Sequence, residues 1–506
     1  MRGDAGLWPR LVLRYAIQQL LSGSKVVCWA SSTLKATMHS ELNIPPPERP
    51  YPPGPAFLSR VLSGRAFRQN AAQFMCESAQ RYGDLVHYNV FGRHVYQLNH
   101  PALIEDFFLK DAHRHHRNIV MQRSRAVLGH GLLTSEEPLH MRQRRLAQPA
   151  FHRNRIASYA DVIGTQALAM TSRWQSGSTR DLRQEMLAIA LRIVGTCLFD
   201  LAVESDAEVK KISSAVDAFM GFLPLSFLPF PELVQRLPIP AMQRIHRGIE
   251  ELDALIYGMI RERRANPVDR GDLLSMLMAA VDPEAPDSPD PQKGYNSARM
   301  SDRQLHDECL TILLAGHETT ANALSFALWL LARHPEVQAT VSAEARAVLG
   351  DRPPVADDYG RLRYTTQVFS EALRLYPPVW VTARTCAEPY EIAGYPIKSG
   401  AVVIAPQFVL HRDPRYFPDP LRFDPSRFNE ENKATRPRYV FFPFAAGSRQ
   451  CIGEGLAWME GVFVLAVIAR NWRLSLPPGA ATDIDYNPSI SLRPRREVPL
   501  ILEEII

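Results

Sequence analysis

Apolar residues fill most positions from 309 to 331, and this run gives the clearest structural signal in the chain. A helix that is apolar on all sides is buried at the centre of a protein. Ser301 and Gln304 match the pattern that opens a helix, so one helix is predicted over 301–334, roughly 50 Å long. The segment 316–320 interrupts the run with Gly-His-Glu-Thr-Thr, and buried polar groups of this kind need partners or a function.

The rest of the pattern predicts a mainly α-helical protein with small β-sheets, that is, an α+β fold dominated by helices. Residues 82–101 alternate around a glycine and indicate a β-hairpin, whereas residues 101–264 are mostly helical in period. A second helix is predicted over about 364–376, followed by short strands and irregular segments up to about 438. A last helix is expected to begin near Gly453.

The composition, 46% hydrophobic and 22% charged over 506 residues, is that of a globular protein with a large core. The net charge of +5 gives no reason to expect a nucleic-acid partner. The six cysteines are scattered without a CxxC pair, which argues against a zinc or iron–sulfur site and against a disulfide framework. A reducing, cytoplasmic location is predicted. No apolar run reaches about 18 residues, so no transmembrane helix is expected.

Residues 1–43 are predicted to be an N-terminal extension, because the proline-rich segment 44–55 marks the start of the folded body. Residues 1–40 carry five basic residues against a single acidic one, and their apolar and basic positions separate onto two helical faces. This pattern fits an amphipathic helix in peripheral contact with a membrane, a targeting segment, a disordered extension or a start codon assigned too early. The sequence leaves these alternatives open.

Cys451 lies between glycines, next to an arginine and just before the last predicted helix. A thiolate is the reactive form of cysteine, and the unpaired N–H groups of a helix N-terminus stabilise it. Gly447 and Gly453 are expected to let the backbone fold tightly around the sulfur. Arg449 adds a positive charge nearby, and Phe444 can keep water out. A lone cysteine is otherwise usually a small buried apolar residue.

The spacing Phe444-x-x-Gly447-x-Arg449-x-Cys451-x-Gly453 resembles the haem-binding loop of the cytochromes P450. The resemblance implies that Cys451 is the thiolate ligand of haem b iron and that Arg449 contacts a haem propionate. It extends over nearly the whole chain from about Pro45. One cytochrome P450 domain over 44–506 therefore replaces the three domains that length alone favours, with the haem between the long central helix and the cysteine loop.

The polar interruption of the central helix, Ala-Gly-His-Glu-Thr-Thr, resembles the oxygen-activation segment of the same family. The resemblance implies that Ala315 and Gly316 leave room for oxygen and substrate. Glu318 and Thr319 would form the acid–alcohol pair that relays protons to dioxygen. His317 has no family role at its position and is expected to be an ordinary helix-face residue. Without the cysteine loop, the segment favours a helix kink.

Glu371 and Arg374 are three residues apart, which allows them to pair on one helix face. As an exposed pair they would contribute little to stability. Followed by Leu-Tyr-Pro-Pro, they resemble the E-x-x-R motif of the family, and Arg427 supplies the third member of its ionic network. Ser426 replaces a more frequent glutamate beside it.

His140, Arg144 and Arg384 match the family positions that contact the haem propionates. Histidine at position 140, where tryptophan is common, indicates a bacterial type. The remaining basic residues would flank the cysteine side of the haem and steer an acidic electron-transfer partner by charge: Arg142, Arg145, Arg153 and Arg155.

The resemblance implies a haem-thiolate monooxygenase that hydroxylates or epoxidises a lipophilic substrate with dioxygen. Electrons would come from NAD(P)H through a separate ferredoxin or flavodoxin and its reductase, since the chain carries no flavin or iron–sulfur module, and the enzyme is expected to be a monomer. A peroxide-dependent or isomerising relative is the first alternative, but such relatives typically lose the pair that Glu318 and Thr319 represent. A non-catalytic haem-binding protein is the second.

The apolar, proline-rich segment 217–240 occupies the lid position of the family and favours a lipophilic guest, although it also fits a lid that packs on itself. The expected pocket walls carry no charge that could hold a carboxylate: Ala315, Val379, Trp380, Val381 and Ile490. A fatty acyl chain and a terpenoid both fit this description.

Overall fold

The computed structural model describes residues 42–45, 50–55, 70–90, 92–201, 205–222, 240–282 and 298–505. The predicted N-terminal extension lies almost entirely outside the described residues, as does most of the apolar segment 217–240. The domain boundary at residue 44 therefore stays a prediction.

The helices of the described residues are α1 Ala71–Tyr82, α2 Pro101–Phe108, α3 Ile119–Leu128, α4 Leu139–Ala147, α5 Arg153–Ser158, α6 Ala160–Thr171, α7 Leu182–Phe199, α8 Asp206–Phe222, α9 Pro240–Ala265, α10 Leu273–Ala279, α11 Asp302–Arg333, α12 Pro335–Leu349, α13 Arg363–Leu375, α14 Gln407–Leu410, α15 Glu430–Thr435 and α16 Glu454–Asn471. None of them is both long and apolar enough to cross a lipid bilayer.

The strands of the described residues are β1 Leu85–Val90, β2 Arg93–Leu98, β3 His115–Arg117, β4 Thr179–Asp181, β5 Thr382–Cys386, β6 Tyr390–Ile392, β7 Tyr395–Ile397, β8 Val402–Ala405, β9 Trp472–Ser475, β10 Tyr486–Pro488, β11 Leu492–Pro494 and β12 Pro499–Glu504. They form a five-stranded sheet in the order β1-β2-β8-β5-β3, a three-stranded sheet β4-β12-β9 and the hairpins β6–β7 and β10–β11. The predicted α+β class and the predicted β1–β2 hairpin are confirmed.

The long helix α11 is the centre of the molecule, as its apolar sequence predicts. It begins with the predicted capping box, in which the side chains of Ser301 and Gln304 each accept a hydrogen bond from the other's backbone N–H. Helices α7, α9, α13 and α16 pack around it and bury nearly every residue from Gln304 to Ala332. Cys309, Leu324 and Phe326 have no exposed surface at all. The helix is therefore held in place on several sides, and it fixes the position of the site residues that it carries.

The Glu371–Arg374 ion pair lies in the interior, with both side chains 0% exposed. Arg374 binds the Glu371 carboxylate through two hydrogen bonds of 2.6 and 2.7 Å. It also donates to the backbone carbonyls of His411 and Pro420, at 2.8 and 2.7 Å. Arg427 lies 3.5 Å from Glu371, so the structure brings the three expected residues together. The network ties helix α13 to the irregular segment that precedes the cysteine loop.

His411 extends this network to the cysteine loop. Its ring is fully buried, and Nε2 accepts a hydrogen bond of 3.0 Å from the backbone N–H of Phe442. Burial holds the pKa of His411 well below its usual range, so the ring is neutral and can accept this bond. A continuous chain of hydrogen bonds thus runs from helix α13 through Arg374 and His411 to the start of the loop that carries Cys451.

We expect the variant Arg374→Met to lose about 3–5 kcal/mol of unfolding free energy, because it leaves the Glu371 carboxylate buried without its partner. Urea denaturation followed by circular dichroism measures the loss. The control is Arg473→Met, which removes an exposed arginine paired with Glu503 and costs no more than about 1 kcal/mol. Equal losses in the two variants would contradict a special role for the buried network.

Candidate functional site

The cysteine loop joins a short helical turn, Gly447–Arg449, to helix α16. The backbone N–H of Cys451 donates to the carbonyl of Phe444 at 3.0 Å, which closes the loop on itself. Gly447 has φ +72°, and a Cβ at this position would lie 2.4 Å from the carbonyl oxygen of Phe108. Glycine is required here because other residues avoid this conformation and helix α2 leaves no space for a side chain.

Gly453 does not meet the same requirement. It precedes helix α16 with an ordinary φ of −86°, and a Cβ would make only a normal contact of 3.8 Å with Phe151. The conformational freedom of glycine is therefore used at Gly447, whereas the backbone at Gly453 is one that other residues also adopt. The expected role of Gly453 in holding the cofactor stays a prediction.

The Cys451 side chain is exposed, although many protein atoms surround it. Burial raises the pKa of its thiol to about 11, against the opposing effects of a hydrogen bond from Gly453 and the charge of Arg144. Arg144 supplies a positive charge that acts on the thiol, and the expected contribution of Arg449 stays a prediction. The protein alone therefore does not make a thiolate here, and metal coordination is the condition that deprotonates a thiol outright.

His140 and three arginines converge near the loop, and the arginines form a cationic cluster of Arg117, Arg384 and Arg449. Burial, together with the positive charges of Arg449, Arg117, Arg144 and Arg384, lowers the pKa of His140 to about 2. Burial and repulsion from neighbouring arginines also lower the pKa of Arg117 to about 9 and that of Arg384 to about 10. His140 is therefore neutral, and the guanidinium groups form a concentration of positive charge inside the protein.

The acidic residues beside this cationic cluster do not pair with all of its arginines. Arg449 lies 3.5 Å from both Glu136 and Glu137 and donates to the carbonyl of Ser135 at 2.7 Å. Arg384 is only 6% exposed, and in the described part of the chain its guanidinium contacts aromatic rings but has no hydrogen bond or ion pair. A buried cation of this kind requires an anion. The residues present therefore fit a haem, whose two propionates would supply that charge.

Arg117 belongs to this cluster but was missed by the sequence analysis, because nothing in its surroundings distinguishes it from other surface arginines. It is positioned by strand β3, which pairs with β5 so that Arg117 lies directly opposite Arg384. Its Nε is buried with no hydrogen-bond partner among the described residues. We therefore include Arg117 with the cofactor-binding candidates.

Helix α4 carries three further basic candidates, while Arg153 and Arg155 lie on helix α5. Arg144 donates to the carbonyl of Gln450 at 2.7 Å and so fixes the residue before the cysteine. Arg142 and Arg145 both pair with Asp282, at 2.8 and 3.4 Å. Their expected role in steering an acidic partner is weakened, because this carboxylate already offsets their charge.

A narrow window interrupts the burial of helix α11. Ala315 is exposed and Gly316 and Thr319 are half-buried, whereas their neighbours on the helix are buried. Residues 315, 316 and 319 share one face, so the window is a local opening on one side of the helix. Thr319 Oγ1 donates to the carbonyl of Ala315 at 2.6 Å, four residues back. Such a bond loosens the helix and keeps the hydroxyl at the window.

Glu318 points away from Thr319. Its Oε1 accepts a hydrogen bond of 2.9 Å from Ser491 and lies 3.5 Å from the guanidinium of Arg493. The sequence analysis missed Ser491 and Arg493, since they lie more than 170 residues away and match no motif. His317 is also buried, with Nε2 3.1 Å from the carbonyl of Leu187, and burial lowers its pKa to about 4. His317 is therefore a neutral residue on the face of α11 that contacts helix α7.

The other expected pocket walls differ in exposure. Val379 is 39% exposed despite its apolar side chain, and Val381 and Ile490 are half-buried. Trp380 is only 6% exposed and donates from Nε1 to the carbonyl of Ser489 at 2.8 Å. The geometry therefore makes Trp380 an anchor for the turn of the β10–β11 hairpin, while the two valines and Ile490 remain available to a guest.

Comparison with known proteins agrees with this site. The family model described as Cytochrome P450 matches residues 47–500. Two curated relatives come from Streptomyces melanosporofaciens. "Cyclooctatin synthase" is 39% identical over 84% of this chain and 90% of its own length. "Cyclooctat-9-en-7-ol 5-monooxygenase" is 35% identical over 86% and 92%.

A solved structure, "Crystal structure of cytochrome P450DA heme domain", has a TM-score of 0.78 and 28% identity, and the match covers 90% of this chain and 98% of that one. The cysteine loop, the buried cationic cluster and the window in the central helix thus occur in a chain whose whole fold matches one family. The chain belongs to the cytochrome P450 family, and it is a haem-dependent monooxygenase.

Proposed function

We propose that this monooxygenase hydroxylates or epoxidises a cyclic terpenoid. The observation that carries the proposal is the window in helix α11, where Ala315 is exposed and Thr319 is half-buried on the same face of an otherwise buried helix. Of the two curated relatives described above, one is named for the synthesis of cyclooctatin, and the other is named as a 5-monooxygenase of cyclooctat-9-en-7-ol, a cyclic alkene alcohol. A fatty acid is the less favoured guest, because no cation is positioned at the expected walls to bind its carboxylate.

Haem b would be held by Cys451 and by the cationic cluster of Arg117, Arg384 and Arg449, with neutral His140 as a hydrogen-bonding neighbour. When bound, the haem supplies the iron on which dioxygen is activated, so that one oxygen atom enters the substrate and the other is released as water. The chain itself provides the proton donors and the apolar enclosure.

In this proposal Thr319 presents its hydroxyl at the window, and Glu318 supplies the proton that replaces the one Thr319 gives up. Electrons come from NAD(P)H through a separate reductase and a ferredoxin or flavodoxin. Arg153 supports a docking site near the cysteine, because it is exposed and begins helix α5, which packs on α16.

We expect the variant Thr319→Ala to consume oxygen and NAD(P)H while forming less product, with hydrogen peroxide as the by-product, because the proton donor at the window is lost. Product and peroxide are measured per NAD(P)H consumed, with a decrease in product of roughly tenfold or more. The control is Ser325→Ala, which removes the same type of bond to a carbonyl four residues back, 2.7 Å to Ala321, at a fully buried position. Full product yield in Thr319→Ala would remove Thr319 from the mechanism.

We expect Arg384→Leu to purify with less haem per protein than the wild type, since a cation of the binding cluster is replaced by an apolar side chain. The haem content is measured from the absorbance ratio of the haem to the protein, and the exposed Arg473→Leu serves as the control. An unchanged haem content in Arg384→Leu would mean that Arg384 only offsets the charges of Glu136 and Glu137 and does not bind the haem.

We expect titration of the ferric enzyme with a series of cyclic terpenes and terpene alcohols to give a saturable shift of the haem Soret band to the high-spin form. A parallel series of fatty acids should give little or no shift, because an apolar pocket without a cation disfavours a carboxylate. A shift with the fatty acids alone would overturn the terpenoid proposal and leave the monooxygenase assignment intact.

A further inference from the structure

We propose that Asp307 and Glu308 are positioning residues for the haem, because they hold the connection 129–137 so that its acidic residues reach the cationic cluster. The inference rests on the proposed contact between that cluster and the haem propionates. It adds a route by which the first half of helix α11, about two turns before the window, sets the charge around the cofactor.

Helix α11 binds the connection between α3 and α4 through two consecutive carboxyl groups. Asp307 Oδ2 accepts a hydrogen bond of 2.8 Å from the backbone N–H of His130, and Glu308 Oε2 accepts one of 3.0 Å from the backbone N–H of Leu132. At Gly131, between these donors, a Cβ would lie 2.4 Å from the backbone carbonyl oxygen of Asp307. The backbone therefore lies directly on the helix, and these contacts are called the carboxyl clamp.

Helix α9 fixes the first group of the carboxyl clamp. His306 donates from Nδ1 to Asp307 Oδ1 at 3.2 Å and from Nε2 to Asp253 at 2.9 Å. Its ring stacks on that of Tyr257, with 4.4 Å between the centroids. Burial opposes the charge of His306, but the bonds to the two carboxylates outweigh it and raise its pKa to about 9. Asp307 is thus bound to an imidazolium on one oxygen and to the connection on the other.

Glu308 acts in the carboxyl clamp as a neutral acceptor. It has no exposed surface, and burial raises the pKa of its carboxyl group to about 8. At neutral pH the group is mostly the acid, which still accepts an N–H bond through an oxygen. Its Oε1 is buried without a hydrogen-bond partner among the described residues. A substitution of Glu308 therefore changes the position of the connection far more than it changes the charge.

The connection is cross-linked between the clamp and the cluster. Thr134 Oγ1 donates to the carbonyl of Gly129 at 2.8 Å. The carbonyl of Thr134 accepts two hydrogen bonds from Arg125, at 2.9 and 2.7 Å. Arg125 also pairs with Glu136 at 3.2 Å. A displacement at the clamp is therefore transmitted to the acidic end of the connection.

That acidic end supplies the negative charge beside the cluster. Glu136 accepts a hydrogen bond of 2.8 Å from the backbone N–H of Arg117. Glu136 and Glu137 each lie 3.5 Å from Arg449, whose guanidinium also donates to the carbonyl of Ser135 at 2.7 Å. Withdrawal of the two carboxylates leaves the cluster more positive. Positive charge near the haem favours the ferrous state, because reduction adds an electron to the iron.

The test measures the ferric-to-ferrous reduction potential of the substrate-free holoenzyme by spectroelectrochemical titration at about pH 6, where Glu308 is neutral. In Glu308→Leu we expect the equilibrium constant for reduction to rise roughly tenfold, which is about 59 mV for one electron. The Soret band should keep its low-spin position. Glu308→Gln retains an acceptor for Leu132 and should restore the wild-type potential. A potential that rises only with conversion to high spin would overturn the proposal.

The control for a loss of stability alone is Asp358→Ala. Asp358 is a buried carboxylate that accepts the backbone N–H of Val355 at 2.9 Å, in the connection between α12 and α13. We expect this variant to be less stable in urea and to keep its reduction potential. A Glu308→Leu variant that behaves in the same way would show that the carboxyl clamp is only structural.

A background without the two acids shows whether the carboxyl clamp acts through them. Glu136→Gln combined with Glu137→Gln should itself raise the potential, and Glu308→Leu should then add nothing. An equal rise in that background would overturn the inference. If Glu308→Leu retains too little haem, Asp307→Ala opens the other half of the clamp, and its rise in potential should be smaller in the background than in the wild type.

The same background separates the inference from the proposed haem site. If the two acid substitutions shift the potential and Glu308→Leu does not, the cluster remains at the haem and the role of the carboxyl clamp is refuted. If the acid substitutions cause no shift, the inference fails together with the proposed contact between the cluster and the propionates.

Discussion

The completely buried Glu371–Arg374 pair is the interaction on which the geometry of the site depends. Two ions in the interior are stable only when each has its full set of hydrogen-bond partners. Here the Arg374 guanidinium binds the Glu371 carboxylate and the backbone carbonyls of His411 and Pro420. Because those carbonyls belong to the irregular segment before the cysteine loop, the pair gives a defined shape to a part of the chain with little secondary structure. His411 transmits that shape to Phe442, and the loop places Cys451 at the start of helix α16.

Two groups near this ion pair have unfavourable electrostatics in the protein alone: the buried arginines and the Cys451 thiol. Burial, together with repulsion from neighbouring arginines, lowers the pKa of Arg117 and of Arg384, while burial raises the pKa of the Cys451 thiol. Both effects are unfavourable for the protein alone, and both are relieved by one ligand with a cationic metal and two carboxylates. The site is thus complementary to haem in charge.

The sequence was sufficient for the parts of the molecule in which local pattern and chemistry coincide. The central helix follows from its apolar run and its capping box, and Cys451 follows from the spacing of its loop. The sequence could not show that Glu318 turns toward Ser491 and Arg493, because that contact joins residues far apart in the chain with no shared motif. It also could not place Arg117, which joins the cluster only through the pairing of β3 with β5, or distinguish Trp380 as an anchor from Val379 as a wall.

The two hydrogen bonds that join the β10–β11 hairpin to residues 378–380 have a consequence for how this enzyme can diverge. Suppose that residues 378–380 are replaced by the corresponding segment of a relative in order to alter the pocket. The acceptor at Pro378, which binds the backbone N–H of Leu492, and the donor at Trp380 then both change, and the hairpin must move to form new hydrogen bonds with them. Residues 378–381 and 489–493 therefore form one structural unit, so a backbone shift in one segment displaces the other. Chimaeras that transfer both segments keep this unit intact, whereas those that divide it break a shared interface.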